Sequence, residues 1–121
     1  MYSPQLLNHF EHPRNRGELP EADVVAEVQN PTCGDVLRLS MKFVDGRIDQ
    51  VRFLSKGCVP TMACGSALTE LILGKTNAEA SEITAAQLAD LLGGMPAHSL
   101  HGAQLAIDCL QTALKKAGAK E

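Results

Sequence analysis

Four side chains in this 121-residue chain pair ligand chemistry with settings that can expose it. Cys33 lies in Asn30-Pro31-Thr32-Cys33-Gly34-Asp35, and Cys58 in Lys56-Gly57-Cys58-Val59-Pro60. Each cysteine stands at the edge of an expected strand, beside glycine or proline, where the backbone can present a sulfur. His101, in Ser99-Leu100-His101-Gly102, opens the last expected helix. Thiolates and imidazole are the ligands that soft and borderline metals prefer. Asp35 follows Cys33 by two residues, so an extended backbone puts both side chains on one face and adds a carboxylate. The intervals between these segments are long, so only the fold can assemble a site from them.

Each thiol also has a plainer reading, because free cysteine is among the most buried residue types. Cys33 sits in a turn rather than on an apolar stripe, which favours a functional role. Cys58 precedes the first turn of a helix, where the dipole and unpaired N–H groups can stabilise a thiolate and a neighbouring Lys56 can add to the effect. Cys64 and Cys109 fall on the apolar stripes of their own helices and read as core residues. Cys64, six residues past Cys58, retains some prospect of reaching the site. His9, His12 and His98 read as hydrogen-bonded or solvated structural histidines. Arg14, Asn15 and Arg16 read as loop residues that pin the N-terminal segment.

Composition excludes several function classes. Apolar residues make up 45% of the chain, as expected for a folded domain rather than a disordered one. With one Tyr, three Phe and no Trp, the core is aliphatic and stacking on bases is disfavoured. A net charge of −3 without a basic patch argues against nucleic acid as a partner. Met1-Tyr2-Ser3-Pro4 carries no apolar signal, and no run is long enough for a membrane span, so a cytoplasmic protein is expected. In a reducing compartment the four cysteines are thiols or ligands rather than a disulfide framework. No Cys-x-x-Cys pair is present, which disfavours a zinc finger or thioredoxin-type site.

The elements that must position these groups are legible. Ser3 caps a first helix with Pro4 at its first position, and His12 to Gly17 breaks it. Val24, Ala26 and Val28 alternate, as do Leu37, Leu39, Met41 and Phe43, which predicts strands. Asp45-Gly46 predicts a two-residue hairpin turn. Ile48 is out of phase with Val51 and Phe53 on the returning strand, which suggests a bulge. From Cys64 to Ile72 the period becomes helical, ended at Gly74. Thr84 with Gln87 resembles a capping box for a short helix through Leu92. A last helix carries Ala106, Cys109, Leu110, Ala113, Leu114 and Ala117 on one stripe and ends at Gly118. Strands followed by helices predict an α+β fold: a three-stranded antiparallel sheet with helices packed on one face.

The motifs resemble one known family. Asn30-Pro31-Thr32-Cys33-Gly34-Asp35 is similar to the Asn-Pro-x-Cys-Gly-Asp motif of iron–sulfur cluster scaffolds of the IscU / NifU N-terminal type. Gly57-Cys58 through Ala63, Ser66 and Leu68-Thr69-Glu70 to Gly74-Lys75 resembles that family's second cysteine segment. Leu100-His101 with Leu105-Ala106 and Asp108 resembles the third, and Tyr2-Ser3 to His12-Pro13-Arg14-Asn15 the opening. Residues 1–121 then form one NifU N-terminal-like scaffold domain. The resemblance implies that Cys33, Asp35, Cys58 and His101 bind iron and hold a nascent [2Fe–2S] cluster for transfer to apoprotein acceptors, and that a cysteine desulfurase supplies the sulfur. Zinc is expected to enter such a ligand set in the isolated protein. Asp35, the harder and weaker ligand, is the one expected to leave most readily. A monomer or weak dimer is expected.

Two departures from the family pattern stand out. Where the family reads His-Cys, this chain has His101-Gly102, so the third thiolate is absent. A cysteine restored at 102 is expected to fit easily, because replacing a helical glycine lowers the entropy lost on folding. Cys64 is the rival candidate for the missing ligand. Met95-Pro96-Ala97-His98-Ser99 stands in place of the family's Leu-Pro-Pro-Val-Lys sequence, which removes the ground for expecting an Hsp70-type chaperone as partner. The alternative function is a zinc- or iron-binding relative that regulates or partners a cysteine desulfurase without building clusters. A thiol enzyme with Cys58 as nucleophile lacks any oxyanion or substrate motif, and no catalytic residue is assigned.

Overall fold

A computed structural model describes residues 2–31 and 34–120. Helix α1 (Pro4–Glu11) starts where Ser3 Oγ accepts the Leu6 amide at 3.0 Å. Three strands follow, β1 (Val24–Gln29), β2 (Val36–Val44) and β3 (Arg47–Lys56), antiparallel in the order β1-β2-β3. The α+β expectation, a three-stranded antiparallel sheet with helices against it, is met. Asp45 and Gly46 both take positive φ, 52° and 76°, as the tight hairpin turn requires. Lys42 pairs with Gln50 but Phe43 with Ile48, so Asp49 is the extra residue of a bulge. The bulge restores phase: Ile48, Val51 and Phe53 all end up buried.

Leu37, Leu39 and Met41 of β2 are fully buried, along with Val24 and Ala26 of β1. Helices α2 (Val59–Ile72) and α5 (Leu100–Lys120) pack on the sheet, and α1 packs on α2. Two short helices, α3 (Asn77–Ser81) and α4 (Ala85–Leu91), lie between them in sequence, with a 3₁₀ turn at Ala97–Ser99 before α5. The Thr84–Gln87 capping box is present. Sequence reading missed α3, whose signal was a second capping box, Thr76 with Glu79. Helix α5 also continues past Gly118 to Lys120 rather than ending there. A glycine by itself stops a helix only when the following chain leaves it.

The segment after α1 protects the outer edge of β3. The Phe53 amide donates to Asn15 O, and the Gly17 amide to Phe53 O, each at 2.9 Å. Side chains fix that segment as expected. The buried Ser66 hydroxyl meets both the Arg14 amide at 2.9 Å and His9 Nδ1 at 2.8 Å, and Asn15 Nδ2 donates to Thr69 Oγ1 at 3.1 Å. The Phe53 backbone groups on this edge are thereby taken and not open to another strand.

Candidate metal centre

Strand register creates one corner of the site. Val36 pairs with Lys56, so Asp35, just before β2, lies beside Gly57, just after β3. Gly57 adopts φ +138°, and a Cβ built on it would lie 2.2 Å from Asp35 Oδ1. The carboxylate therefore rests on a backbone that only glycine allows. Cys58 is the N-cap of α2 in extended conformation, followed by Val59 and Pro60 in the first turn. Proline near the start of a helix lacks only an amide that has no helical partner there.

Helix α5 supplies the other corner. His101 lies in its first turn, and His101 Nδ1 is 3.0 Å from the carbonyl oxygen of His98. A carbonyl only accepts, so Nδ1 carries a proton, and in the neutral imidazole Nε2 then presents a lone pair. That lone pair faces Cys58 Sγ at 3.6 Å and Asp35 Oδ2 at 3.7 Å. Cys58 Sγ in turn donates to Asp35 Oδ2 at 3.0 Å. Metal-binding histidines are commonly oriented by a backbone carbonyl in this manner.

Gly102 explains how the two helix starts come so close. A Cβ there would stand 3.1 Å from Thr61 N, 3.2 Å from Pro60 C and 3.3 Å from Pro60 O. These are backbone atoms of α2 that cannot swing aside. The expectation that a cysteine at 102 fits easily is therefore corrected: the glycine is a contact point between helices, and any side chain there presses on the turn that carries Thr61.

The electrostatics hold the thiol protonated and the carboxylate charged. Burial pushes the Cys58 thiol up; the Thr61 hydroxyl opposes this, and the hydrogen bond to Asp35 adds to it. The Thr61 amide at the helix start favours the thiolate, as expected, but burial and the Asp35 carboxylate outweigh it in the metal-free site. Burial would raise Asp35, but hydrogen bonds from Thr61 and from the Cys58 thiol and amide together take its carboxyl below the usual range. Two buried thiols stand apart from this cluster. Cys64 is fully buried with its sulfur 3.8 Å from Met95 Sδ, and burial pushes it up to about 12. Cys109 is fully buried beneath the Ala26 and Leu37 carbonyls and is likewise pushed up to about 12 by burial. Both read as core, as the helical stripes indicated.

One edge of the cluster already matches a tetrahedral cation, while Sγ···Oδ2 at 3.0 Å is about 0.5 Å short of one, as a thiol–carboxylate hydrogen bond should be. With metal–sulfur and metal–nitrogen bonds of about 2.3 and 2.05 Å, a tetrahedron has an S···N edge of about 3.6 Å. The observed Sγ···Nε2 separation is 3.6 Å. Among the described residues, Asp35, Cys58 and His101 form the group whose ligand atoms all lie within 4.8 Å of one another. Cys33 lies outside the described residues. Beside His101 an open groove of about 220 Å³ runs between Gln29, Asn30 and Pro31 and the α5 residues Gln104, Leu105 and Asp108. His9, His12 and His98 do not belong to the cluster. The residue that sequence reading missed is Thr61, whose hydroxyl donates to Asp35 Oδ2 at 2.7 Å; a threonine in a first helical turn carries no signal of such a partner.

Over residues 1–121 the sequence matches the family model described as NifU-like N terminal domain. The chain belongs to that family. A relative from Archaeoglobus fulgidus, iron-sulfur cluster assembly scaffold protein IscU 1, is 41% identical over 114 residues, covering 94% of this chain and 74% of the relative. The Aquifex aeolicus iron-sulfur cluster assembly scaffold protein IscU is 35% identical over 116 residues, with coverages of 94% and 74%. Among solved structures, the N-terminal part of a nitrogen-fixing NifU-like protein from Brucella abortus superposes with a TM-score of 0.82 at 17% identity, covering 98% of this chain and 95% of the other. At that identity the superposition establishes the fold of this family member alone. No helix among the described residues is long and apolar enough to cross a membrane.

Proposed function

We propose that this chain is an assembly scaffold for iron–sulfur clusters, with residues 1–121 as a single scaffold domain. Cys33, Asp35, Cys58 and His101 hold iron and a [2Fe–2S] cluster as cargo. The observation that carries the reading is the convergence of a thiol, a carboxylate and a tautomer-fixed imidazole at the family's motif positions. The cargo is bound by exchange: the thiol proton between Cys58 Sγ and Asp35 Oδ2 leaves, and the metal takes its place. The site sits at the open end of the sheet, where β3 ends and α2 and α5 begin, so its cargo can be passed on without unfolding the core. The starts of two helices also favour the negative charge of a thiolate-bound cluster.

A cysteine desulfurase supplies the sulfur, and apoproteins with free thiolates receive the cluster. Zinc fits the same donor set and is the expected occupant when no iron or sulfide is supplied. A reducing compartment such as the cytoplasm suits a site that works through unpaired thiols.

Anaerobic reconstitution with ferrous iron and sulfide tests the function. The expected product absorbs in the visible and holds iron and acid-labile sulfide in equal amounts. Cys58→Ser and His101→Ala should lose it while keeping the fold. Wild-type protein that takes up zinc but forms no sulfide-containing chromophore would sink the scaffold reading.

A further inference from the structure

Thr61 lies one turn after Cys58 on α2 and is fully buried. Its hydroxyl donates to Asp35 Oδ2 at 2.7 Å and stands 3.3 Å from Cys58 Sγ. One side chain thus touches two of the three converging groups. The same turn carries the backbone on which Gly102 packs. The wall of the site facing position 102, where this chain has no side chain, is therefore built by the Thr61 turn.

The two oxygens of Asp35 are not equivalent. Oδ1 packs against Gly57, so close that a Cβ there would lie 2.2 Å away. Oδ2 is the atom that faces His101 and Cys58. It accepts two hydrogen bonds, one from Thr61 and one from the Cys58 thiol. A cation that binds Cys58 as thiolate displaces the thiol proton and takes over that side of Oδ2. The Thr61 bond does not involve that proton and is kept.

We propose, resting on the reading that Asp35, Cys58 and His101 bind metal, that Thr61 is a positioning residue whose hydroxyl holds Asp35 Oδ2 toward Cys58 and His101 and thereby sets the affinity for divalent cations. Without the hydroxyl, and with the thiol proton displaced by metal, Oδ2 keeps neither of its side-chain hydrogen bonds, and only the Cys58 amide and the packing on Gly57 still restrain the carboxylate. Partners that orient metal ligands typically change affinity by about 10–100-fold. Serine keeps the hydroxyl. Valine keeps the shape and removes it.

Titration of the full chain with Co²⁺ under anaerobic conditions tests this, read by thiolate-to-cobalt charge transfer and by the visible ligand-field bands. Thr61→Val should weaken Co²⁺ binding by about tenfold or more, and Thr61→Ser should return it close to wild type. Thermal unfolding of the metal-free variants monitors the fold. Equal Co²⁺ affinity in wild type and a folded Thr61→Val overturns the role of Thr61 and leaves the metal site standing. If Thr61→Val does not fold, Thr61→Ser and Thr61→Ala differ by the hydroxyl alone, and equal affinities in that pair overturn the proposal. Wild-type protein showing no thiolate-to-cobalt band overturns both this proposal and the site on which it rests.

Discussion

Gly102 and Gly118 lie in the same helix, yet glycine-to-alanine exchange should have opposite signs at the two. At Gly102 the added Cβ meets Thr61 N at 3.1 Å, Pro60 C at 3.2 Å and Pro60 O at 3.3 Å. Relief requires α2 and α5 to move apart by a few tenths of an ångström. Overpacking of this kind costs ~1–3 kcal/mol. Alanine recovers roughly 0.5–1 kcal/mol of helix propensity. The balance is a net loss on the order of 1–2 kcal/mol. For a chain of this size each kcal/mol lowers Tm by roughly 4 °C, so Gly102→Ala should melt about 4–8 °C below wild type. At Gly118 nothing lies within 4 Å of the added Cβ. There only the propensity gain applies, reduced by proximity to the helix end, and Tm should hold or rise slightly. Circular dichroism melts of the metal-free proteins supply the comparison. A Gly102→Ala protein at least as stable as wild type would refute the reasoning, because it would mean that α2 and α5 do not touch at this point. Gly102→Cys carries the same Cβ, so any metal binding gained through its sulfur comes against that loss.

Three further outcomes follow from the geometry. Gly57→Ala should abolish Co²⁺ binding in a protein that still folds, since the new Cβ would lie 2.2 Å from Asp35 Oδ1 and drive the carboxylate aside; an unchanged cobalt spectrum would mean that Asp35 is not a ligand. Cys64→Ser should cost about 1–3 kcal/mol, because a buried hydroxyl gains only a thioether neighbour at Met95, while metal content stays as in wild type; metal lost with the fold intact would make Cys64 a ligand. Burial, assisted by Arg14 and opposed by Glu70, holds the His9 imidazole below its ordinary value of 6.5. Below that value the unfolded chain binds more protons, so the stability contributed by neutral His9 is present above pH 6.5 and is lost as pH falls through the lower folded value. Denaturant unfolding of His9→Asn between pH 7.5 and 5.5 should show a flatter pH dependence than wild type, and equal slopes would assign the effect to other groups.

Local patterns determined most of the architecture. Alternation gave β1 and β2, and the phase slip at Ile48 announced the bulge that the register contains at Asp49. Ser3, Thr84 and Asp45-Gly46 marked a helix start, a capping box and a turn, because caps and tight turns are settled by the side chains of a few adjacent residues. Helix α3 escaped notice because five residues carry too little periodicity to register. The end of α5 was misplaced because Gly118 permits a stop without imposing one.

The site divides in the same way. Residue types and family-like spacing singled out Asp35, Cys58 and His101, since ligand chemistry belongs to the side chain itself. Which atoms face one another is a property of the tertiary structure. The pairing of Val36 with Lys56 set Asp35 on Gly57, and the His98 carbonyl chose the imidazole tautomer. Close contact at Gly102 brought Thr61 to the wall of the site. A glycine and a threonine have no ligand chemistry that a sequence would display. Their importance comes from what lies within about four ångströms of them, and only the packing of two helices on one sheet fixes that distance.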